Sequence, residues 1–153
     1  MPDLLVNLLR LPALEEAREF NVRRAQPWEI SQVRRFVSEN FSPNWADEIS
    51  VGFARQPITV FIATIDRELV GFAAYECTRR GFFGPTGVIQ SARGKGVGKA
   101  LALASLWALR EMGYVYAIIG AAGPVRFYQK TVGAIIIPDS EPGIYTDALK
   151  NKE

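Results

Sequence analysis

The sequence predicts an α/β fold of the α+β type, a mostly antiparallel sheet carrying about four main helices. Three observations support that expectation. Runs of β-branched and aromatic residues alternate with stretches of helical apolar spacing along the whole chain. Two of those runs, 58–65 and 69–78, are joined by Asp66-Arg67-Glu68 as in a hairpin. A glycine-rich turn, Gly94 to Gly98, separates a strand from a long apolar helix. With 153 residues, 48% of them hydrophobic, the chain is expected to form one domain with a real core and no room for a second.

Residues 18–25 carry Phe20 and Val22 among polar neighbours and read as a first, edge-like strand. Pro27 sits where a helix's first residue would be, and Ile30, Val33, Phe36 and Val37 recur at helical spacing to about Asn40. Ser42-Pro43 starts a second helix in the same way. Trp45, Ile49 and Phe53 form its apolar stripe, Asp47 and Glu48 suit its N-terminal dipole, and it ends before Pro57. After the hairpin comes a third strand, 81–90, whose Gly84-Pro85 pair fits a bulge or break better than a central ladder. Backbone excused from pairing there is able to offer its N–H and C=O groups to a ligand. From Val97 to Met112 the chain is apolar nearly all round, a buried helix ended by Gly113. The continuous apolar run Tyr114 to Ile119 reads as a strand covered on both faces. Gly123-Pro124 opens a fourth helix, Val125 to Val132, closed by Gly133, and Ala134 to Ile137 and Gly143 to Ala148 read as final strands. The apolar start, Leu4 to Leu14, is interrupted by Asn7, Arg10 and Pro12 and reads as a short docking segment, residues 1–17, ahead of the domain.

Composition excludes several function classes. A formal net charge of +2 is too small to argue for nucleic acid, and the basic residues are scattered except at Arg79-Arg80 and between Arg93 and Lys99, which suits a local anion site. The single Cys77 excludes an internal disulfide framework and thiolate metal clusters. The absence of histidine removes Ser-His and Cys-His machinery and the commonest zinc ligands, so no metal is assigned. No run approaches the ~20 apolar residues of a membrane span. A cytoplasmic protein without membrane or nucleic-acid partners is expected.

The glycine turn sharpens this. Alternate glycines let a backbone approach a ligand closely, and the free amides of the following helix point, with the helix dipole, at a phosphate. A phosphate-binding loop of the nucleotide type needs a glycine at 93 and Ser or Thr at 100, where this chain has Arg93 and Ala100. A dinucleotide fingerprint needs glycine at 99 or 101, occupied by Lys99 and Leu101. What remains, Arg93-x-x-Gly96-x-Gly98 after Val88, resembles the acetyl-CoA motif of the GNAT superfamily, the acyl-CoA-dependent N-acyltransferases. The resemblance covers about residues 18–149 as a single acyl-CoA-binding domain, and is most specific from Val88 to Gly133. It implies a GNAT fold, a mixed, mostly antiparallel central sheet with helices on both faces. It further implies acetyl-CoA as co-substrate, with the pyrophosphate held at Arg93, Gly94, Lys95, Gly96, Val97, Gly98 and Lys99 and the pantetheine arm bonded by the strand at Val88.

Phe127-Tyr128-Gln129-Lys130 ahead of Gly133 resembles the same family's late helix. The resemblance implies that Phe127 borders the cofactor and that Tyr128 lies near the CoA sulfur as a general acid; the alternative is that Tyr128 packs with Val125 and Val132. One departure is plain: the asparagine many members carry at the start of this helix is replaced by Ala121, Ala122 and Gly123. Glu76 is the candidate base, because spacing puts it in phase with Val70, Phe72 and Ala74 and so places a carboxylate on an apolar strand face. Its alternative is a strand end paired to Arg79 or Arg80. Phe41, Trp45, Phe53 and Tyr75, with Tyr145 opposite, either line the acceptor site or form plain core. The activity implied is N-acetyl transfer to a primary amine, on a small molecule or a peptide, by direct attack in a ternary complex. A non-catalytic acyl-CoA-binding module is the alternative, and a homodimer follows by family analogy alone.

Overall fold

The computed structural model describes residues 1–16 and 19–150. Its strands are β1 (Leu4–Asn7), β2 (Asn21–Arg24), β3 (Val60–Ile65), β4 (Glu68–Tyr75), β5 (Phe82–Val88), β6 (Tyr116–Ile119) and β7 (Ile135–Ile136). Its helices are α1 (Ile30–Asn40), α2 (Pro43–Phe53), α3 (Val97–Glu111) and α4 (Val125–Val132). The strands form one sheet in the order β2-β3-β4-β5-β6-β1-β7, antiparallel throughout except for the parallel pair β5–β6. Helices α1 and α2 cover one face, where Val33, Val37, Ala46 and Ile49 pack on Ile62, Phe72 and Ala74. Helices α3 and α4 cover the other, where Leu101, Leu106, Leu109 and Tyr128 meet Leu4, Val6, Phe83 and Ile119. Each fully buried leucine or valine here contributes about 1.5–3 kcal/mol by leaving water.

Local chemistry explains most of the elements. Ser42 caps α2, its Oγ accepting from the Trp45 amide at 3.1 Å, with Pro43 in the first turn. Pro27 opens a short 3-10 turn rather than α1 itself, which starts at Ile30. The β3–β4 hairpin turns on Asp66 and Arg67, both at positive φ (51° and 67°), the backbone that a two-residue turn between twisted strands requires. A register shift near Ala63 and Thr64 makes Val70 the extra residue of β4. Val70 therefore joins the α3-side core while Phe72 and Ala74 face α1 and α2.

The structure corrects three expectations. Leu4–Asn7, expected within a docking segment ahead of the domain, is an interior strand, antiparallel to β6 on one side and β7 on the other, with Leu4, Val6 and Leu8 fully buried. The boundary drawn between residues 17 and 18 lies outside the described residues. The final strand expected at 143–148 is a 3-10 turn at Gly143–Tyr145. Strand β6 is buried on one face only: Ala117 and Ile119 are covered, but Tyr116 is 55% exposed and Ile118 half-buried.

Candidate active site

The site begins with a fault in β5. Tyr75 pairs with Phe83 and Ala73 with Thr86, so β5 holds one residue more than β4 across that interval, at Gly84-Pro85. Gly84 sits at φ 122°, open only to glycine. A bulge bends and twists its strand, and here β5 parts from β6. The two pair only at Phe82↔Ile118 and Phe83↔Ile119, leaving a wedge that opens toward their C-terminal ends. The Ile89 amide bonds to the Val70 carbonyl at 2.9 Å. By the alternation of antiparallel ladders, the N–H and C=O of Val88 and Thr86 therefore face away from β4, into the wedge.

At the wide end of the wedge lies the glycine turn. Gly94 (φ 82°) and Gly96 (φ 84°) both hold left-handed backbone, and a Cβ at either would meet nothing within 4 Å. Gly96 caps α3 without a side-chain acceptor. The first intrahelical bond runs from Ala100 to the Gly96 carbonyl at 3.0 Å, so the amides of Val97, Gly98 and Lys99 have no partner in the helix. The exposed Arg93 folds back, its Nε donating to the Val88 carbonyl at 3.2 Å, and ties the turn to the strand. Lys99 lies 3.7 Å from Glu15, a half-exposed pair of little energetic weight. The residues fit a diphosphate: open space at Gly94 and Gly96, three amides without a partner among the described residues, a helix dipole and cations within one turn. A groove of about 1190 Å³ runs along Phe61, Leu103 and Trp107 beside α3 and reaches the turn at Gly94, Lys95, Gly96 and Lys99. The wedge, by contrast, brings outward-facing strand amides of β5 together with the N-terminus of α3.

At the apex stands Tyr128. Its ring packs edge-on against Phe83, the last residue of β5 to pair with β6, at 6.1 Å, and against the half-buried Phe127 at 5.1 Å. Helix α4 is held there by Gly133 at φ 66°, with the Ala134 amide reaching the Tyr128 carbonyl. Tyr128 is 3% exposed, and burial alone pushes its phenol up to about 12. It is therefore a neutral hydrogen-bond donor across the physiological range. From Phe83 to Val88 is five strand residues, about 16 Å at ~3.3 Å each, the length of wedge between apex and turn.

Glu76 does not join this group. It lies beyond the end of β4 at φ 59°, and its Oε1 accepts from the Gly81 amide at 2.7 Å while Oε2 stands 3.8 Å from Arg55. Neither Arg79 nor Arg80 pairs with it among the described residues. The Tyr114 phenol is pushed up first by burial and then by the nearby Glu76 carboxylate. Glu76 fastens the 76–81 turn at the closed end of the wedge. Tyr75 is likewise removed from the acceptor side: it faces α3, 1% exposed, its hydroxyl bonded to Arg24 at 2.5 Å. Phe41, Trp45 and Phe53 belong to the α1–α2 core, with Phe41 stacked on Trp45 at 5.9 Å and its ring filling the space a Cβ of Gly87 would need. Tyr145 is 47% exposed. Cys77 is buried, its thiol pushed up chiefly by burial. One residue escaped the sequence reading. Asp3, just before β1, accepts the Ala121 amide on Oδ1 at 2.8 Å, where the family's asparagine is missing. Its only signal was a carboxylate ahead of the alternating Leu4, Val6 and Leu8.

The acetyltransferase (GNAT) family model matches residues 14–134, and the chain belongs to that family. Solved structures share the fold. A GCN5-related N-acetyltransferase from Sphaerobacter thermophilus superposes with a TM-score of 0.72 at 18% identity, over 89% of this chain and 48% of its own. A glucosamine N-acetyltransferase region of a fungal multi-domain β-N-acetylglucosaminidase gives 0.71 at 17% identity, over 89% and 19%. A GNAT family acetyltransferase from Brucella melitensis, in complex with acetyl-CoA, gives 0.56 at 20%, over 73% and 82%. This chain thus spans half or less of the first two. No curated protein matches its sequence. No helix among the described residues is long and apolar enough to cross a membrane.

Proposed function

We propose that this chain is an acetyl-CoA-dependent N-acetyltransferase in which a neutral primary amine attacks the thioester directly while both substrates are bound. The observation that supports it best is the wedge between β5 and β6, with free helix amides at its wide end and Tyr128 at its apex. The acetyl-CoA bound to the Brucella relative agrees with it. In this reading the amides of Val97 to Lys99 hold the diphosphate of acetyl-CoA, and Thr86 and Val88 bond its arm. The amine nitrogen forms a bond to the acetyl carbon, the carbon–sulfur bond breaks, and the sulfur leaves with the electron pair. A phenol near 12 loses its proton reluctantly to a thiolate near 8.5, so Tyr128 acts as a hydrogen-bond donor to the developing thiolate before it acts as an acid. Holding amine and thioester together supplies much of the rate. With Glu76 committed to its turn, the amine's extra proton leaves through water. With this reading go an acceptor that is a small molecule or a peptide and a cytoplasmic site of action.

Free-thiol release from acetyl-CoA with a panel of amines, and mass detection of the acetylated product, test the proposal. Tyr128→Phe is expected to lower turnover roughly 100-fold while CoA affinity stays within about twofold; unchanged turnover removes Tyr128 from the chemistry. The commitment of Glu76 also favours a second reading, a non-catalytic acyl-CoA-binding module. That reading requires saturable CoA binding with no transfer to any acceptor, and one specific acetylated product ends it.

A further inference from the structure

Asp3 stands beside the open wedge. It lies across from Gly120, the first residue of the β6 chain beyond the β5 pairing, because Leu4 pairs with Ile119. Strand alternation turns it to the face opposite Leu4, the side of Phe82 and Ile118. The contacts agree. A Cβ placed on Gly120 would lie 3.1 Å from the Phe82 ring and 3.9 Å from Asp3 Oδ1, so ring and carboxylate flank one spot on the acceptor side. The Ala121 amide fixes Oδ1 at 2.8 Å. Oδ2 accepts no hydrogen bond among the described residues and abuts Gly143, where a Cβ would come within 3.0 Å. Two residues further on, the Tyr145 phenol is pushed up by burial first and then by the charges of Glu48 and Asp3, against Arg79.

Asp3 is one strand spacing, about 4.8 Å, from the wedge edge. That separation matters. A carboxylate against the attacking nitrogen would favour its protonated, unreactive form, whereas one displaced by a strand suits a second ammonium that never reacts. The Phe82 ring between the two positions offers apolar surface to a short methylene chain. We propose that Asp3 is a specificity residue that binds the distal ammonium of a diamine acceptor, so that the preferred acceptors are short aliphatic diamines. This rests on the acetyltransferase reading.

The test compares 1,5-diaminopentane with n-pentylamine, which lacks the second charge, in wild type and Asp3→Asn. The variant keeps an oxygen for the Ala121 amide and loses only the charge. Wild type is expected to show a kcat/KM about tenfold higher for the diamine, and Asp3→Asn to raise KM for the diamine alone, with kcat and the pentylamine constants within about twofold. Equal use of both amines by wild type, or equal loss on both in the variant, overturns the proposal. Calorimetric titration of 1,5-diaminopentane, with and without CoA, separates the two readings. Diamine binding weakened by Asp3→Asn upholds the role of Asp3 even in a chain that transfers nothing, and wild-type affinity no better than the variant's refutes it even in an active enzyme.

Discussion

Gly96→Ala isolates the conformation on which the phosphate-binding turn depends. Gly96 holds φ 84°, and an added Cβ meets nothing within 4 Å, so the cost is backbone strain without a clash. A left-handed alanine costs roughly 1–2 kcal/mol. In a domain of this size that corresponds to a fall of about 2–8 °C in Tm. Gly98→Ala, two residues on, is the control. Gly98 is helical, and its Cβ would sit 3.7 Å from Val88 Cγ2, an ordinary contact, so helix propensity makes this variant as stable as wild type or up to about 1 kcal/mol more stable. Thermal unfolding thus orders the proteins Gly98→Ala, wild type, Gly96→Ala. Calorimetry with acetyl-CoA should show at least a tenfold affinity loss for Gly96→Ala, because relieving the strain reorients the amides of Val97 and Gly98. A Gly96→Ala protein that melts with wild type contradicts the left-handed cap, and one that binds acetyl-CoA undiminished contradicts the grip itself.

Three further outcomes follow from the same geometry. Tyr128 ionises near 10 when unfolded and at about 12 when folded, so above pH 10 the unfolded state holds fewer protons and stability falls. Urea unfolding between pH 9 and 12 should lose roughly 2 kcal/mol more in wild type than in Tyr128→Phe; parallel curves refute the burial of the phenol. Glu76→Gln keeps an acceptor for the Gly81 amide, so kcat should change less than about threefold while stability falls by about 1 kcal/mol. A 100-fold loss of kcat in chemical denaturation-matched samples would restore Glu76 as the base. Leu4→Ala should cost about 2–5 kcal/mol in urea unfolding, since Leu4 is fully buried in the sheet, whereas a loss under 0.5 kcal/mol would return residues 4–7 to the surface.

What the sequence revealed and what it concealed divide along range of interaction. The glycine turn, α3, the α2 cap at Ser42 and the Gly84-Pro85 bulge are local events, settled by residues within one or two turns of one another, and they were legible. So was the helix that carries Tyr128, because α4 has its own start and stop. Strand β1 was not. Four residues in which Leu4, Leu5 and Val6 are all apolar show no clean alternation, and their partner Ile119 is more than 100 positions away. Glu76 and Tyr75 were misplaced for a related reason. Periodicity assumes an unbroken strand, but β4 ends at Tyr75 and Glu76 turns off at φ 59°, so the phase of Phe72 and Ala74 does not carry on to it. Asp3 gained its place only through that unseen pairing.

The position of β1 has a further consequence during synthesis. Leu4 leaves the ribosome long before Ile119, and at 5–20 residues per second its partner follows roughly 6–23 s later. Until then the nascent chain presents Leu4, Val6 and Leu8 with nothing to shelter them, and β1 has neither β6 nor β7 to pair with. The last seam of the sheet to close is therefore the one made by the earliest-translated of its strands, and slow translation exposes that seam to chaperones or to another chain.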